Sequence, residues 1–196
     1  MKLTSFFLLT FAALLVVAEL KADIQKVTIT WTQGLCVDNC PKNLEVQLRK
    51  VPGVSDIQIN GLSARADISW KPNMYFSYKA VEAAMSMIGL SINDIRVKVR
   101  GSLTHDDVVV WLVSTGDGTR FMLLSPMQTS LTQYSEFYNV ESHKLNPDMR
   151  DRLLQAELND AVVTIEGPLF SPERSPPLTL IIEKLQVEVK NPPQPT

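Results

Sequence analysis

The chain contains only two cysteines, Cys36 and Cys40, and they lie four positions apart. Two thiolates at this spacing can hold one soft metal ion, for which Cu(I) is the first choice and Hg(II) and Zn(II) are alternatives. Zinc would need further ligands, because the two histidines, His105 and His143, lie far along the chain. The same cysteines can instead form a disulfide, passive or redox-sensitive, or remain as two thiols without a function. The residue types leave these readings open.

The elements around the cysteines predict how they are positioned. Alternating apolar residues in "VTITWT" (27–32) are typical of a half-buried strand, which Gly34 would end. A polar residue at 38 or 39 can cap a following helix, and Pro41 fits the first turn of that helix. Cys40 would then lie at a helix N-terminus, where unpaired N–H groups and the helix dipole favour a thiolate.

The remainder of the first half predicts three more strands and one more helix. The first helix would end at Pro52-Gly53, and "VSDIQIN", "RADISWK" and "INDIRVKV" alternate as strands do. Between the last two, a stripe of apolar residues recurs at helical spacing and ends at Gly89. The stripe consists of Val81, Ala84, Met85 and Ile88. The predicted order, βαββαβ, is that of a ferredoxin-like domain.

These residues resemble the heavy-metal-associated (HMA) domain of copper chaperones, metal-transporting ATPases and periplasmic mercury-binding proteins. Gly34-Leu35 open the motif, Cys40 takes the place of its second cysteine, and three later features are in register. These are Leu44-Glu45, Leu48 and Gly53-Val54. The sequence departs from the family at Val37, because the first thiol lies one place earlier, at Cys36, and the spacing becomes C-x3-C. The resemblance implies a ferredoxin-like fold and a soft metal held by Cys36 and Cys40.

The second half is dominated by strands. Three predicted strands lead through a long polar connection to the helix "PDMRDRLLQAEL", and two strands, "AVVTIEGPLF" and "LTLIIEKLQVEV", follow. This order resembles the OB-fold, a small Greek-key β-barrel with one helix. The expected class is therefore α+β, with an HMA-like domain over 23–97, an OB-like domain over 98–190 and a disordered tail over 191–196. Both domains require the strand near 92–103, so the two domains either share it or one of them lacks it.

The N-terminal residues have the layout of a secretory signal peptide. Lys2 precedes the apolar run Phe6–Val17, and small residues follow at Ala18 and Ala22. We expect residues 1–22 to be removed on export to a periplasmic or extracellular compartment, with no membrane span left afterwards. A disulfide would persist in such a compartment.

Charge and residue types exclude several functions. Positions 23–100 carry ten Lys and Arg against seven Asp and Glu, and positions 101–196 carry seven against thirteen. An acidic second half is a poor partner for nucleic acid, and no catalytic constellation is visible, so we expect no enzyme. The sequence favours a soft-metal carrier, Cu(I) first, whose OB-like module docks a protein partner in the envelope. The alternative is a non-catalytic envelope interaction or structural protein that binds no metal and has a passive disulfide.

Overall fold

The computed structural model describes residues 24–36, 38–126, 144–174 and 176–188. The predicted signal peptide and C-terminal tail lie outside this part of the chain, as do Val37 and His143. In the part that is described, no helix has the length and apolar character needed to cross a membrane.

The first half has the predicted order of elements and forms an antiparallel sheet in the order β2-β3-β1-β4. Its elements are β1 (Ile24–Thr30), α1 (Cys40–Leu48), β2 (Val54–Asn60), β3 (Arg65–Trp70), α2 (Tyr78–Ser86) and β4 (Asp94–His105). This order and pairing are those of the ferredoxin-like arrangement. Because the side chains of a strand alternate between faces, β1 and β4 bury one apolar row and leave a polar row on the other face.

Both helices of the first half are anchored by buried apolar residues, and α2 also has a side-chain cap. Helix α1 buries Leu44 and Leu48 and has no side-chain hydrogen bond at its N-cap. Helix α2 buries the predicted positions Val81, Ala84 and Met85, and the hydroxyl of its N-cap, Ser77, accepts a 3.2 Å hydrogen bond from the Ala80 amide. Such a cap satisfies one of the unpaired N–H groups of the first turn.

The second half joins the same sheet through β4. Its elements are β5 (Val110–Ser114), β6 (Arg120–Leu124), α3 (Pro147–Leu158), β7 (Val162–Pro168), a 3-10 turn (Pro172–Arg174), β8 (Leu178–Ile181) and β9 (Lys184–Glu188). Strand β4 pairs with β1 and β7 through its first part and with β5 through positions 101–105. One long strand therefore serves both halves, which is the shared-strand alternative left open by the sequence.

The predicted OB-like barrel is not confirmed, because the described strands do not form a closed ring. The segment expected to be one final strand is two: β8 pairs parallel with β6, and β9 pairs antiparallel with β7. The chain crosses between them at Ile182, whose amide donates to the Leu124 carbonyl at 2.8 Å. Strands β7 and β8 meet in one isolated bridge, Leu169–Leu180. What the structure establishes is a mixed α+β fold with one extended sheet.

Candidate functional site

The two cysteines lie in and directly after the loop that joins β1 to α1. This loop reverses the chain with two residues in the left-handed backbone region, Gly34 (φ +81°) and Asp38 (φ +54°). Cys40 is the first residue of α1, and a proline occupies the first turn. The prediction that Cys40 begins a helix is therefore confirmed, and its sulfur lies where the positive end of the helix dipole favours a thiolate.

The structure brings the two predicted site residues together. The sulfurs of Cys36 and Cys40 are bonded as a disulfide, with an S–S distance of 2.08 Å and Cα atoms 5.0 Å apart. Cys36 is fully buried and belongs to the hydrophobic core, whereas Cys40 is partly buried against it. The disulfide therefore joins a fully buried cysteine to one that is partly accessible to solvent.

The turn between β2 and β3 packs against this loop. A Cβ atom added at Gly61 would lie 3.1 Å from both the Cys36 carbonyl oxygen and the Pro41 ring, so only a very small residue fits there without adjustment. Two apolar side chains are exposed in these two loops, Leu35 at 61% and Leu62 at 92%. Leu35 directly precedes Cys36, and Leu62 directly follows Gly61, so the disulfide has an apolar and accessible border.

No third metal ligand accompanies the cysteines in the described residues, which contain no group of three or more His, Cys, Asp or Glu side chains able to hold an ion. Two sulfurs alone suit a soft ion of low coordination number, because zinc in proteins almost always takes four ligands.

Asp106 and Asp107, which follow His105, lie in the turn between β4 and β5. The Asp106 carboxylate accepts hydrogen bonds from the Val108 and Val109 amides at 2.9 and 2.7 Å. These backbone hydrogen bonds, that of Val109 first, hold the pKa of Asp106 below its ordinary value. His105 is the last residue of β4, and its Nδ1 lies 2.6 Å from the carboxylate of Glu157 in α3.

Three methionines of the first half, Met74, Met85 and Met87, lie outside the loop that joins β1 to α1. Met85 is fully buried in α2, as predicted, and Met87 just after that helix is 73% exposed. The Met74 carbonyl accepts a 2.8 Å hydrogen bond from the Trp70 indole, so this segment is fixed against β3. Met85 therefore contributes to packing and Met87 to the surface, whereas Cys36 and Cys40 bring two sulfurs together.

Comparison with known proteins gives partial structural matches. No protein-family model matches the sequence, and a search of curated proteins finds no significant relative. One similar solved chain comes from work on "Crosstalk between Cu(I) and Zn(II) homeostasis" (22% identity, 35% of this chain, 96% of that chain, TM-score 0.31). Another is oxidized MerP from Ralstonia metallidurans CH34 (22% identity, 35% of this chain, 93% of that chain, TM-score 0.31). A third is a copper binding domain from HMA7, a P-type ATPase (23% identity, 36% of this chain, 92% of that chain, TM-score 0.31).

Each similarity is confined to about a third of this chain. About two thirds of this chain therefore lies outside the matched region.

Proposed function

We propose that the chain is an exported soft-metal-binding protein whose reduced cysteine pair takes up and releases one Cu(I) ion as cargo. The observation that carries this proposal is the meeting of the only two cysteine sulfurs at the N-terminus of α1. Export is supported by the apolar N-terminal run and the small residues after it. The function requires no catalytic chemistry.

The dithiol geometry suits one ion bound by two ligands. Metal–thiolate bonds of about 2.3 Å place two sulfurs on one ion at most about 4.6 Å apart. Cα atoms 5.0 Å apart accommodate this separation by rotation of the side chains, without a large movement of the backbone. The partly buried Cys40 would receive the ion first, and Cys36 would complete the site from the core side.

Uptake of metal requires the disulfide to be opened first. Reduction by an external thiol reductant adds two electrons and two protons and gives two thiols, which lose protons as Cu(I) binds. The oxidised form therefore cannot hold the ion, and the redox state of the pair controls loading.

The second half would serve as a partner-docking module with OB-like connectivity. Three pairings support the OB-like connectivity: β4 with β5, β4 with β7, and β6 with β8 in parallel. A partly open Greek-key arrangement, rather than a closed barrel, is the form that these pairings favour. The partner would be a protein of the envelope.

A Cu(I) competition titration tests the metal proposal. The purified, reduced chain is titrated against a chromophoric Cu(I) chelator beside Cys40→Ser and the Cys36→Ser/Cys40→Ser double variant. Met87→Ser is the matched control, because it removes an exposed sulfur that lies outside the cysteine loop. We expect one tightly held ion in the wild type and the control and none in the cysteine variants. Equal binding by all four proteins would contradict the proposal.

The second candidate is an envelope interaction protein with a passive disulfide. It is favoured by the complete burial of Cys36 together with the exposed border of Leu35 and Leu62. Under this candidate, Cys40→Ser leaves partner binding intact, and the reduced chain does not remove Cu(I) from the chelator. Leu62→Ser would then weaken partner capture, whereas it would leave the Cu(I) affinity unchanged under the first candidate.

A further inference from the structure

The face of the sheet opposite α1 and α2, here called the open face, contains a cavity of about 310 Å³. Its charged lining comes from five strands, β1, β3, β4, β7 and β9, and includes five cations and one carboxylate. These residues are Lys26, Arg65, Arg96, Lys98, Lys184 and Glu166. The cavity lies where strands of both halves meet on β4, and ligand sites are often found at such junctions.

Strand register places two of these cations against each other. Lys26 of β1 lies directly opposite Lys98 of β4 in the antiparallel pairing. Like charges directly opposite each other across two strands destabilise a sheet. An anion bound between them would remove this repulsion.

Most of the cations in the cavity, including Lys26, already pair with carboxylates. Asp67 accepts ion pairs from Lys26 at 3.2 Å and Arg65 at 2.9 Å, and Glu166 pairs with Lys184 at 3.2 Å. Burial raises the pKa of Asp67, but hydrogen bonds from Thr28, Arg65 and Lys26 outweigh it and hold the pKa below its ordinary value. Asp67 therefore stays charged.

Two further carboxylates neutralise Arg96. Its guanidinium contacts Glu183 and lies 3.7 Å from Asp94. Lys98, between Arg96 and Arg100 on the same face of β4, makes no ion pair in the described part of the chain. The five cations of the cavity are therefore matched by four paired carboxylates, Glu166 in the lining and three beside it, which leaves one positive charge in excess.

We propose that this cavity is a binding site for a phosphate-type oxyanion, with Lys98 as its principal ligand and Lys26 opposite it. Guanidinium nitrogens also bind oxyanions, and Arg65, which donates to Asp67 through Nε and Nη2, has its remaining nitrogen, Nη1, for an anion at the same cavity. The site is independent of the cysteine pair, since it uses the opposite face of β1 and β4.

Titration of inorganic phosphate into the full-length chain, followed by amide NMR shifts in a phosphate-free buffer, tests this site. We expect saturable shifts centred on β1 and β4 around Lys26 and Lys98. Lys98→Gln should weaken binding about tenfold, corresponding to about 1.4 kcal/mol, the lower end of the contribution of a charged hydrogen bond. The matched control is Lys79→Gln, which removes the same charge from an exposed position on α2.

A stability measurement separates a binding role from a structural one. Without phosphate, Lys98→Gln should raise the melting temperature slightly or leave it unchanged, because it removes the repulsion with Lys26. Added phosphate should stabilise the wild type and Lys79→Gln more than Lys98→Gln. A lower melting temperature of Lys98→Gln in phosphate-free buffer would contradict the proposal, as would equal phosphate affinity in both variants.

Vesicle flotation identifies the source of the phosphate group. Phosphatidylcholine vesicles with and without phosphatidic acid are compared for the wild type and Lys98→Gln. Binding to phosphatidic acid that is lost in Lys98→Gln supports the site and assigns the group to a lipid. Phosphate binding without any flotation supports it and assigns the group to a soluble ligand. Flotation equal in both proteins, with no response to inorganic phosphate, would overturn the proposal.

Discussion

Reduction of the Cys36–Cys40 disulfide should lower the free energy of unfolding by only about 2 kcal/mol. The bond closes a short loop, since the two residues are four positions apart. For a closed loop of about five residues, the chain-entropy relation gives about 7 cal/mol/K, which is about 2 kcal/mol at 25 °C. The free energy of unfolding of an ordinary single domain is about 5–15 kcal/mol, so the reduced chain should stay folded.

The structure gives a second reason for this small effect. Strand β1 pairs with β3 and β4, and α1 is anchored by the buried Leu44 and Leu48, so both elements flanking the loop are held without the sulfur bond. A folded reduced state is required if the thiols are to bind an ion.

Urea unfolding followed by tryptophan fluorescence, with and without a phosphine reductant, measures this difference. With a slope of about 2 kcal/mol/M, the midpoint should fall by about 1 M and the slope should stay constant. The control is Cys36→Ala/Cys40→Ala, which should not respond to the reductant. A loss above about 4 kcal/mol, or a changed slope, would refute the reasoning, because the bond would then maintain structure beyond its own loop.

Three further predictions concern the fold around the site. Gly53→Ala should lower the free energy of unfolding by about 3 kcal/mol, because φ is +95° and the new Cβ would lie 2.5 Å from the Trp70 indole. Gly89→Ala is the control: its φ is +75° but no atom lies near the new Cβ, so the same urea assay should show a loss of only about 1 kcal/mol. Asp67 has a pKa below its ordinary 3.8, so its stabilisation is present above that pH and is lost as pH falls through its folded pKa; stability titrated from pH 6 to pH 2 should decline less steeply in Asp67→Asn, and parallel curves would contradict this. Ser77→Ala should lower stability by about 1 kcal/mol through loss of the α2 cap, and Ser77→Asp should restore it, whereas no rescue would assign the loss to another cause.

The elements of the first half could be predicted from sequence because their signals are local. Alternation identified β1 and β3, and the spacing of Val81, Ala84 and Met85 identified α2, whose buried face has these residues. Pro41 and the polar residues before it predicted the start of α1 at Cys40. Each of these signals depends on neighbours within a few residues.

Features that depend on distant pairing could not be predicted. The last predicted strand is divided because β8 and β9 pair with different strands. At the division, the backbone of β7 comes so close to the end of β8 that a Cβ added at Gly167 would lie 1.8 Å from the Ile181 carbonyl oxygen. The opposition of Lys26 and Lys98 likewise requires the register of β1 on β4. In sequence, these lysines look like ordinary solvated charges.

The copper content of the same chain in its two redox states tests the central claim most directly. One sample is reduced, the other is oxidised to the disulfide, and both are incubated with Cu(I) and desalted without oxygen before copper and protein are quantified. We predict about one copper ion per reduced chain and essentially none per oxidised chain, because the disulfide sulfurs are no longer thiolate ligands. Equal copper in the two samples, or none in either, would contradict a metal site formed by Cys36 and Cys40.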